Sequence, residues 1–165
     1  MKTKENYANA FAGESQANRK YTFFAEQAEK EGYAHAARLF RAAAEAETIH
    51  ARLHLKGKGG VGTTAMNLKE ANSGETYEAL EMYPPMIEDA KAEGASEAVR
   101  NFTYAKEAEA VHARLYTEAL ANLGKEPDDE AYYLCPVCGY IHKGSSAPTE
   151  DCPICKAKPA VFKKY

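Results

Sequence analysis

The chain has 165 residues, 45% of them hydrophobic and 27% charged, which supports one substantial core with a small additional module and excludes a disordered chain. Its formal net charge of −3 supplies no basic field for a nucleic acid. Because no apolar run reaches the roughly 18 residues of a membrane span and the first residues lack the apolar core of a signal peptide, we expect a cytoplasmic protein that binds neither nucleic acid nor membrane.

An internal repeat organises the first three quarters of the chain. A shift of 62 positions aligns Glu47 with Glu109 and His50 with His112. The repeat and its helical periodicity predict two hairpins of two helices, each turning at a glycine, over residues 5–31, 34–56, 70–93 and 96–122. The 13 residues between the hairpins, 57–69, are typical of a four-helix bundle with one long crossover.

The third helix contains one residue more than the first. Gly13-Glu14 aligns with Gly74-Glu75 at an offset of 61 instead of 62, so the extra residue precedes Gly94. We place it near Tyr83-Pro84-Pro85, because prolines remove helical hydrogen bonds and a helix commonly absorbs one inserted residue as a π-bulge. A simple kink at the prolines is the alternative.

Carboxylates and histidines interrupt the apolar stripe of every predicted helix. Two helices carry Glu-x-x-His and a third carries Glu-x-x-Glu, and this i, i+3 spacing keeps each pair on one helix face. Alone, such a pair is typical of a solvated surface, but several carboxylates in one core repel each other unless a cation neutralises them. The combination is the pattern of ferritin-like dimetal proteins, and it predicts a pair of Fe, Mn or Zn ions. The candidate ligands are Glu14, Glu47, His50, Glu75, Glu78, Glu109 and His112.

Glu78 stands outside the symmetry of the repeat, since its counterpart in the first copy is Ala17. When two Fe(II) ions become Fe(III), the site gains two positive charges, which a mobile extra carboxylate would partly offset. Glu78 therefore favours a redox-cycling site over a storage site. The alternative is a carboxylate at the entrance that binds no metal directly.

The four cysteines form two Cys-x-x-Cys pairs, separated by 13 residues, at positions Cys135, Cys138, Cys152 and Cys155. This spacing predicts a tetrahedral four-thiolate metal site, with disulfides as the second possibility. Zinc and iron both accept that geometry; the neighbouring aromatic residues and the fused redox site favour a single iron. We expect a helical domain over residues 1–123, a linker over 124–131 and a metal-binding domain over 132–165.

These motifs resemble the rubrerythrin family, which joins a ferritin-like di-iron bundle to a C-terminal rubredoxin-like domain. The resemblance implies an all-α ferritin-like four-helix bundle with two iron ions, followed by a small rubredoxin-like domain with one iron in a four-cysteine site. It covers essentially the whole chain. Its markers are GESQANRKY (13–21), EAETIH (45–50), GETYEALEMYP (74–84), EAEAVH (107–112), CPVCGY (135–140) and CPIC (152–155).

The resemblance also implies a distribution of the ligands over the two irons. Glu47 and Glu109 would bridge the irons. Glu14 would bind one iron, and Glu75 with His112 would bind the other.

Four residues would act in turnover according to the same resemblance. The iron bound by Glu14 would exchange His50 for Glu78 on oxidation. Tyr21 and Tyr83 would donate hydrogen bonds to ligand carboxylates.

The family's usual activity is the reduction of hydrogen peroxide to water, as protection against oxidative stress. The resemblance implies electrons that originate on NAD(P)H and arrive through rubredoxin or an NAD(P)H-dependent rubredoxin reductase. A ferroxidase or iron-binding protein that oxidises Fe(II) with O2 is the alternative, and a zinc-stabilised interaction module with an inactive bundle is a third. The extra carboxylate and the cysteine module favour the peroxidase.

The length of the fourth helix leads to a further expectation about assembly. The helix is predicted to continue about 10 residues, roughly 15 Å, beyond His112 before the linker begins. Since this makes a route within one chain long, we expect a homodimer, or a higher homo-oligomer, in which the rubredoxin-like domain of one chain serves the di-iron site of another.

Overall fold

Four helical spans and a small sheet make up the described part of the chain, residues 2–125 and 129–165 of a computed structural model. The helices are α1 (Lys2–Lys30), α2 (Ala34–Lys58), α3 (Thr64–Tyr77), which continues through a π-helix (Glu78–Met82) into α4 (Tyr83–Ala92), and α5 (Ser96–Ala121). The strands are β1 (Ala131–Leu134), β2 (Ile141–Gly144) and β3 (Lys163–Lys164), with a 3-10 turn at Pro159–Val161. The chain divides into two compact units, one ending at Gly62 and the other beginning at Thr63.

The first unit is the hairpin of α1 and α2. Gly32 turns the chain with a φ of +83°, a left-handed conformation that suits glycine. The Asn18 amide donates hydrogen bonds from α1 to the Ala44 carbonyl (2.7 Å) and the Thr48 hydroxyl (2.8 Å) of α2. Small side chains let the helices approach closely, and those buried between them are Ala25, Ala28, Ala37 and Ala44.

The second unit packs α3, the π-helix and α4 against α5 and also contains the sheet. The Asn72 amide makes the same kind of contact as Asn18 in the first unit, donating hydrogen bonds to the Ala113 carbonyl (2.6 Å) and the Thr117 hydroxyl (2.8 Å). In both units these hydrogen bonds fix the register of a helix pair near its carboxylates. The buried core of these helices consists of Ala79, Ile87, Ala90, Ala108 and Leu115.

The predicted crossover over residues 57–69 is wrong, because the connection between the hairpins is shorter. Gly59, with a φ of +78°, ends α2, whose last residue is Lys58. The Thr63 hydroxyl then accepts a hydrogen bond from the Met66 N–H (3.3 Å) and begins α3 at Thr64, six residues before the predicted start. A side-chain cap of this kind can start a helix before the apolar pattern becomes regular.

The predicted π-bulge is confirmed, although it precedes the prolines. The π-helix covers Glu78–Met82, and the Tyr83 N–H closes it by donating to the Glu78 carbonyl. Pro84 and Pro85 lie in the first turn of α4, where a missing N–H is tolerated. The inserted residue therefore widens the turn at Glu78.

The sheet of the second unit is antiparallel, with strand order β2-β1-β3. Ala131 pairs with Gly144, and Leu134 pairs with both Ile141 and Lys163. The predicted linker over 124–131 has its central residues, 126–128, outside the described residues, and its boundaries stay a prediction. Of the helices that the structure describes, none has the length and apolarity needed to cross a membrane.

Candidate metal centres

The first unit brings together Glu14 of α1 with Glu47 and His50 of α2. One ligand atom from each of these side chains lies within 4.8 Å of the others. The His50 Nδ1 is 2.9 Å from a Glu47 carboxylate oxygen. A hydrogen bond between the two carboxyl groups raises the pKa of Glu14 and lowers the pKa of Glu47. A cation bound between the two carboxylates would offset their mutual repulsion.

The second unit contains a matching triad of Glu75 from α3 with Glu109 and His112 from α5. The His112 Nδ1 is 2.6 Å from a Glu109 carboxylate oxygen and 3.6 Å from the Glu75 Oε2. The three side chains are between 16% and 21% exposed, so this triad is well shielded from water. Both units therefore hold two carboxylates and one imidazole.

Burial strongly affects the charges of the second triad. Burial first, and then the hydrogen bond and the charge of Glu109, raise the pKa of Glu75 to about 7. The hydrogen bond with His112 lowers the pKa of Glu109, and the same bond raises the pKa of His112. The Glu75 Oε2 is buried and accepts no hydrogen bond from the described residues. Since a buried carboxylate oxygen without a partner is costly, the triad fits a cation.

Glu78 and Tyr83 lie close to the second triad. Burial, followed by the charge of Glu109, raises the pKa of both side chains. Tyr21 lies in the first unit, where its ring contacts Phe24 and Phe40 at centroid distances of 6.3 Å. The predicted roles of Glu78, Tyr21 and Tyr83 in turnover stay predictions.

The four cysteines converge as predicted, and all are free thiols, so the disulfide alternative is wrong. Their Sγ atoms lie within 4.8 Å of one another, with 3.6 Å separating Cys135 from Cys155 and Cys138 from Cys152. A regular tetrahedron with metal–sulfur bonds of about 2.3 Å has edges of about 3.8 Å. The cluster therefore fits one tetrahedral metal ion.

Backbone N–H groups surround the sulfur atoms. Burial raises the pKa of Cys138 and of Cys155. Burial also acts on Cys152, but hydrogen bonds from the N–H groups of Cys155 and Ile154, together with those of the Cys138 and Cys155 side chains, outweigh it and lower the pKa of Cys152. Hydrogen bonds of this kind stabilise thiolates and tune the potential of an iron bound to them.

A hydrogen bond of 2.9 Å between the His112 Nε2 and the Gly139 carbonyl joins the second triad to the cysteine module. Gly139 directly follows Cys138, and its position is so close to α5 that an added Cβ would lie 3.8 Å from the Ala108 Cβ. A His112 Nε2–H that donates to this carbonyl leaves the Nδ1 lone pair free for a metal. The expectation of a long route within one chain is therefore wrong, because the module folds back along α5.

Tyr116 is a further residue near the second triad, and none of the sequence motifs contains it. With His112 it lines a cavity of about 400 Å³ in the second unit. Burial, followed by the charges of Glu75 and Glu109, raises the pKa of Tyr116. Its i, i+4 spacing from His112 on α5 was the available indication.

Paired carboxylate–histidine triads on helical hairpins, joined to a tetrahedral four-cysteine module, define a class of non-haem metalloproteins. The family model described as rubrerythrin matches residues 5–120, and that of the rubrerythrin rubredoxin-like domain matches residues 133–163. This chain belongs to the rubrerythrin family.

Individual relatives match over nearly the full chain. Nigerythrin of Nitratidesulfovibrio vulgaris is 43% identical over 177 residues, which cover 99% of this chain and 86% of the relative. Rubrerythrin-2 of Clostridium acetobutylicum is 36% identical, with 99% of this chain and 96% of the relative covered. A solved structure of nigerythrin in its partially reduced state matches with a TM-score of 0.61, at 43% identity, over 99% of this chain and 86% of that chain.

Family membership confirms the predicted fold class, a ferritin-like helical protein with a C-terminal rubredoxin-like domain. It also confirms the cofactor types, because the chain carries candidate ligands for a di-iron carboxylate site and for a rubredoxin-like four-cysteine iron site. The family supports a di-iron oxidoreductase of the oxidative-stress response. The assignment of individual ligands to each iron stays a prediction.

Proposed function

We propose that this protein is a di-iron peroxidase that reduces hydrogen peroxide to water. The hydrogen bond between His112 and the Gly139 carbonyl carries the proposal, because it joins a carboxylate–histidine triad to the cysteine module through a single contact. An iron-storage protein needs no such link. Rubredoxin or an NAD(P)H-dependent rubredoxin reductase would deliver the electrons, which originate on NAD(P)H.

A pair of irons held by the two carboxylate–histidine triads would supply two-electron redox chemistry, and an iron held by Cys135, Cys138, Cys152 and Cys155 would supply one-electron transfer. Nigerythrin has been solved in mixed-valence, partially reduced and all-ferrous states. The irons of that relative thus change oxidation state, which supports a redox-cycling site here.

The six ligands proposed for the di-iron site come from both triads, and the family pattern supports joining them around two irons. Within the second unit, the Glu78 carboxyl has a raised pKa, so it holds a proton more readily than a surface glutamate does. Burial and the charge of Glu109 disfavour the charged form of Glu78, and added positive charge at the site would favour it. This supports Glu78 as the group that exchanges with His50. The proposed ligands are Glu14, Glu47, His50, Glu75, Glu109 and His112, with Glu47 and Glu109 as the bridges.

We further propose that the protein works as a homodimer. The helices of the first unit leave large apolar side chains exposed, among them Phe24 (47%), Leu39 (66%) and Leu53 (60%). Exposed apolar surface of this kind is typical of an association interface. Sedimentation velocity of the iron-loaded protein should give the mass of two chains.

The peroxidase proposal is tested by reducing the iron-loaded protein without oxygen and mixing it separately with stoichiometric H2O2 and with O2. The visible bands of both iron centres report their reoxidation. We expect H2O2 to reoxidise both centres much faster than O2 does. Faster reaction with O2 would instead support the ferroxidase, and the absence of iron colour would support the zinc-stabilised module.

A further inference from the structure

The two cysteine knuckles of the rubredoxin-like domain share one backbone design but differ at one position. The Gly139 N–H donates to the Cys135 carbonyl, and the Lys156 N–H donates to the Cys152 carbonyl, both at 3.0 Å. Gly139 has a φ of +83° and Lys156 a φ of +62°. Among the residues that the structure describes, Lys156 is the only non-glycine with a positive φ. A lysine at a position that favours glycine indicates a role beyond the turn itself.

The surroundings of the two positions are opposite. Gly139 faces α5, where its carbonyl meets His112. Lys156 is exposed, and its ammonium donates a hydrogen bond of 3.0 Å to the Pro153 carbonyl of its own knuckle. This bond holds the positive charge at the knuckle beside Cys155, which is part-exposed whereas Cys152 is fully buried. The second knuckle therefore presents a charge at an accessible edge of the four-cysteine site.

The charge of the module differs from that of the helices. Residues 131–165 contain five lysines and only two acidic residues, whereas the remaining residues contain 16 basic and 22 acidic ones. Asp151 pairs with Lys158 and Glu130 pairs with Lys143, each at 2.7 Å. In the described parts of the chain, no carboxylate lies within ion-pair distance of Lys156, Lys163 or Lys164. The free positive charge of the module therefore includes Lys156.

We propose that the second knuckle, residues 152–156, is the docking surface for an acidic protein that carries one electron, with Lys156 as its charged contact. The proposal rests on the peroxidase function above and names the entry point of its electrons. In the encounter the carrier gives up one electron and the four-cysteine centre gains it, with no bond made or broken. Opposite charges steer such encounters and increase their rate.

The test measures reduction of the four-cysteine iron in the full-length, oxidised, iron-loaded protein by stopped flow, with no peroxide present. The donor is reduced rubredoxin of strongly negative net charge. We expect Lys156→Glu to lower the second-order rate constant about tenfold at low salt, and the difference to shrink in about 0.5 M salt. Lys156→Arg should keep the wild-type rate constant. Lys30→Glu, the same charge change at an exposed residue of α1, is the matched control and should also keep it.

Reduced methyl viologen, a small cation, separates docking from other effects. Lys156→Glu should not slow its reaction with the four-cysteine iron, and the visible spectrum of the variant should match that of wild type. Equal slowing with both donors would overturn the proposal, since it would indicate an altered potential or structure. An unchanged rate constant with rubredoxin would overturn it as well. Because the assay contains no peroxide, the docking result can be interpreted even if the peroxidase proposal fails.

Discussion

Gly139 occupies the point at which the cysteine module meets α5. Its φ of +83° is accessible to glycine, and its carbonyl accepts the hydrogen bond of His112. We expect Gly139→Ala to cost about 1 kcal/mol of unfolding free energy and to displace this carbonyl. Urea unfolding and 15N NMR of the His112 imidazole in the zinc-loaded protein measure the two effects.

Gly59→Ala is the matched control for that substitution. Gly59 has a similar φ of +78° at the end of α2, where it meets no histidine. It should show a comparable loss of stability with an unchanged His112 spectrum. If Gly139→Ala also left the His112 spectrum unchanged, the coupling of the two residues would be refuted.

Glu75 should make the stability of the metal-free protein depend on pH. Its pKa is raised from 4.5 to about 7 in the folded state, so folding favours its protonated form. This contribution to stability is fully present below pH 4.5 and is lost as the pH rises through 7. We therefore expect Glu75→Gln to gain stability relative to wild type as the pH rises through this window.

Urea unfolding of the metal-free proteins at pH 4.5, 6 and 8 measures the difference. Glu70→Gln, at an exposed position of the same helix, should follow the wild-type profile. Parallel profiles for Glu75→Gln and wild type would show that the carboxyl group titrates normally. Because Glu109 and His112 contact Glu75, their contributions change with the substitution, and the difference reports the response of the whole triad.

At the scale of elements, the π-helix determines the position of the extra carboxylate. Glu78 is its first residue, and Glu81 lies exposed in the same five-residue segment. We expect Glu78→Ala to keep its bound iron but to slow peroxide turnover about 10–100-fold, because the group that compensates the oxidised site is gone. Iron content and steady-state peroxidase assays test this.

Glu81→Ala changes the same π-helix without removing the proposed ligand. It should therefore retain both iron and turnover. A wild-type rate in Glu78→Ala would contradict the exchange of ligands, and loss of iron would make Glu78 a permanent ligand instead.

Local patterns of the sequence predicted much of this fold and of its sites. The Glu-x-x-His pairs and the Cys-x-x-Cys pairs were recognisable because their members lie three residues apart and share one helix face or one turn. The contact of His112 with Gly139 joins residues 27 positions apart. It depends on the path of the chain after α5, which no local periodicity contains.

The start of α3 was missed for a different reason. The segment before residue 70 has a weak apolar pattern, whereas the cap at Thr63 depends on a single hydroxyl group. The one-residue insertion was visible as a change of repeat offset, yet its exact position was not. The two prolines fit the first turn of α4, so the wider turn moved to the residues before them.

For the whole molecule, the division into two units gives the cysteine module a defined neighbour. The module belongs to the same unit as Glu75, Glu109 and His112, and Glu14, Glu47 and His50 belong to the other. We therefore expect electron delivery within one chain, from the four-cysteine site toward the triad that the module contacts.

Subunit mixing tests this claim most directly. Chains with Cys138→Ser and Cys155→Ser keep the triad, and chains with Glu109→Ala and His112→Ala keep the cysteine module. Each variant is co-expressed with wild-type chains as a control and with the other variant as the test, and peroxidase activity of the purified mixed oligomer is measured. Delivery within one chain predicts no activity above the sum of the separate variants. Recovery of a substantial part of the wild-type activity would show that the module of one chain serves the triad of another.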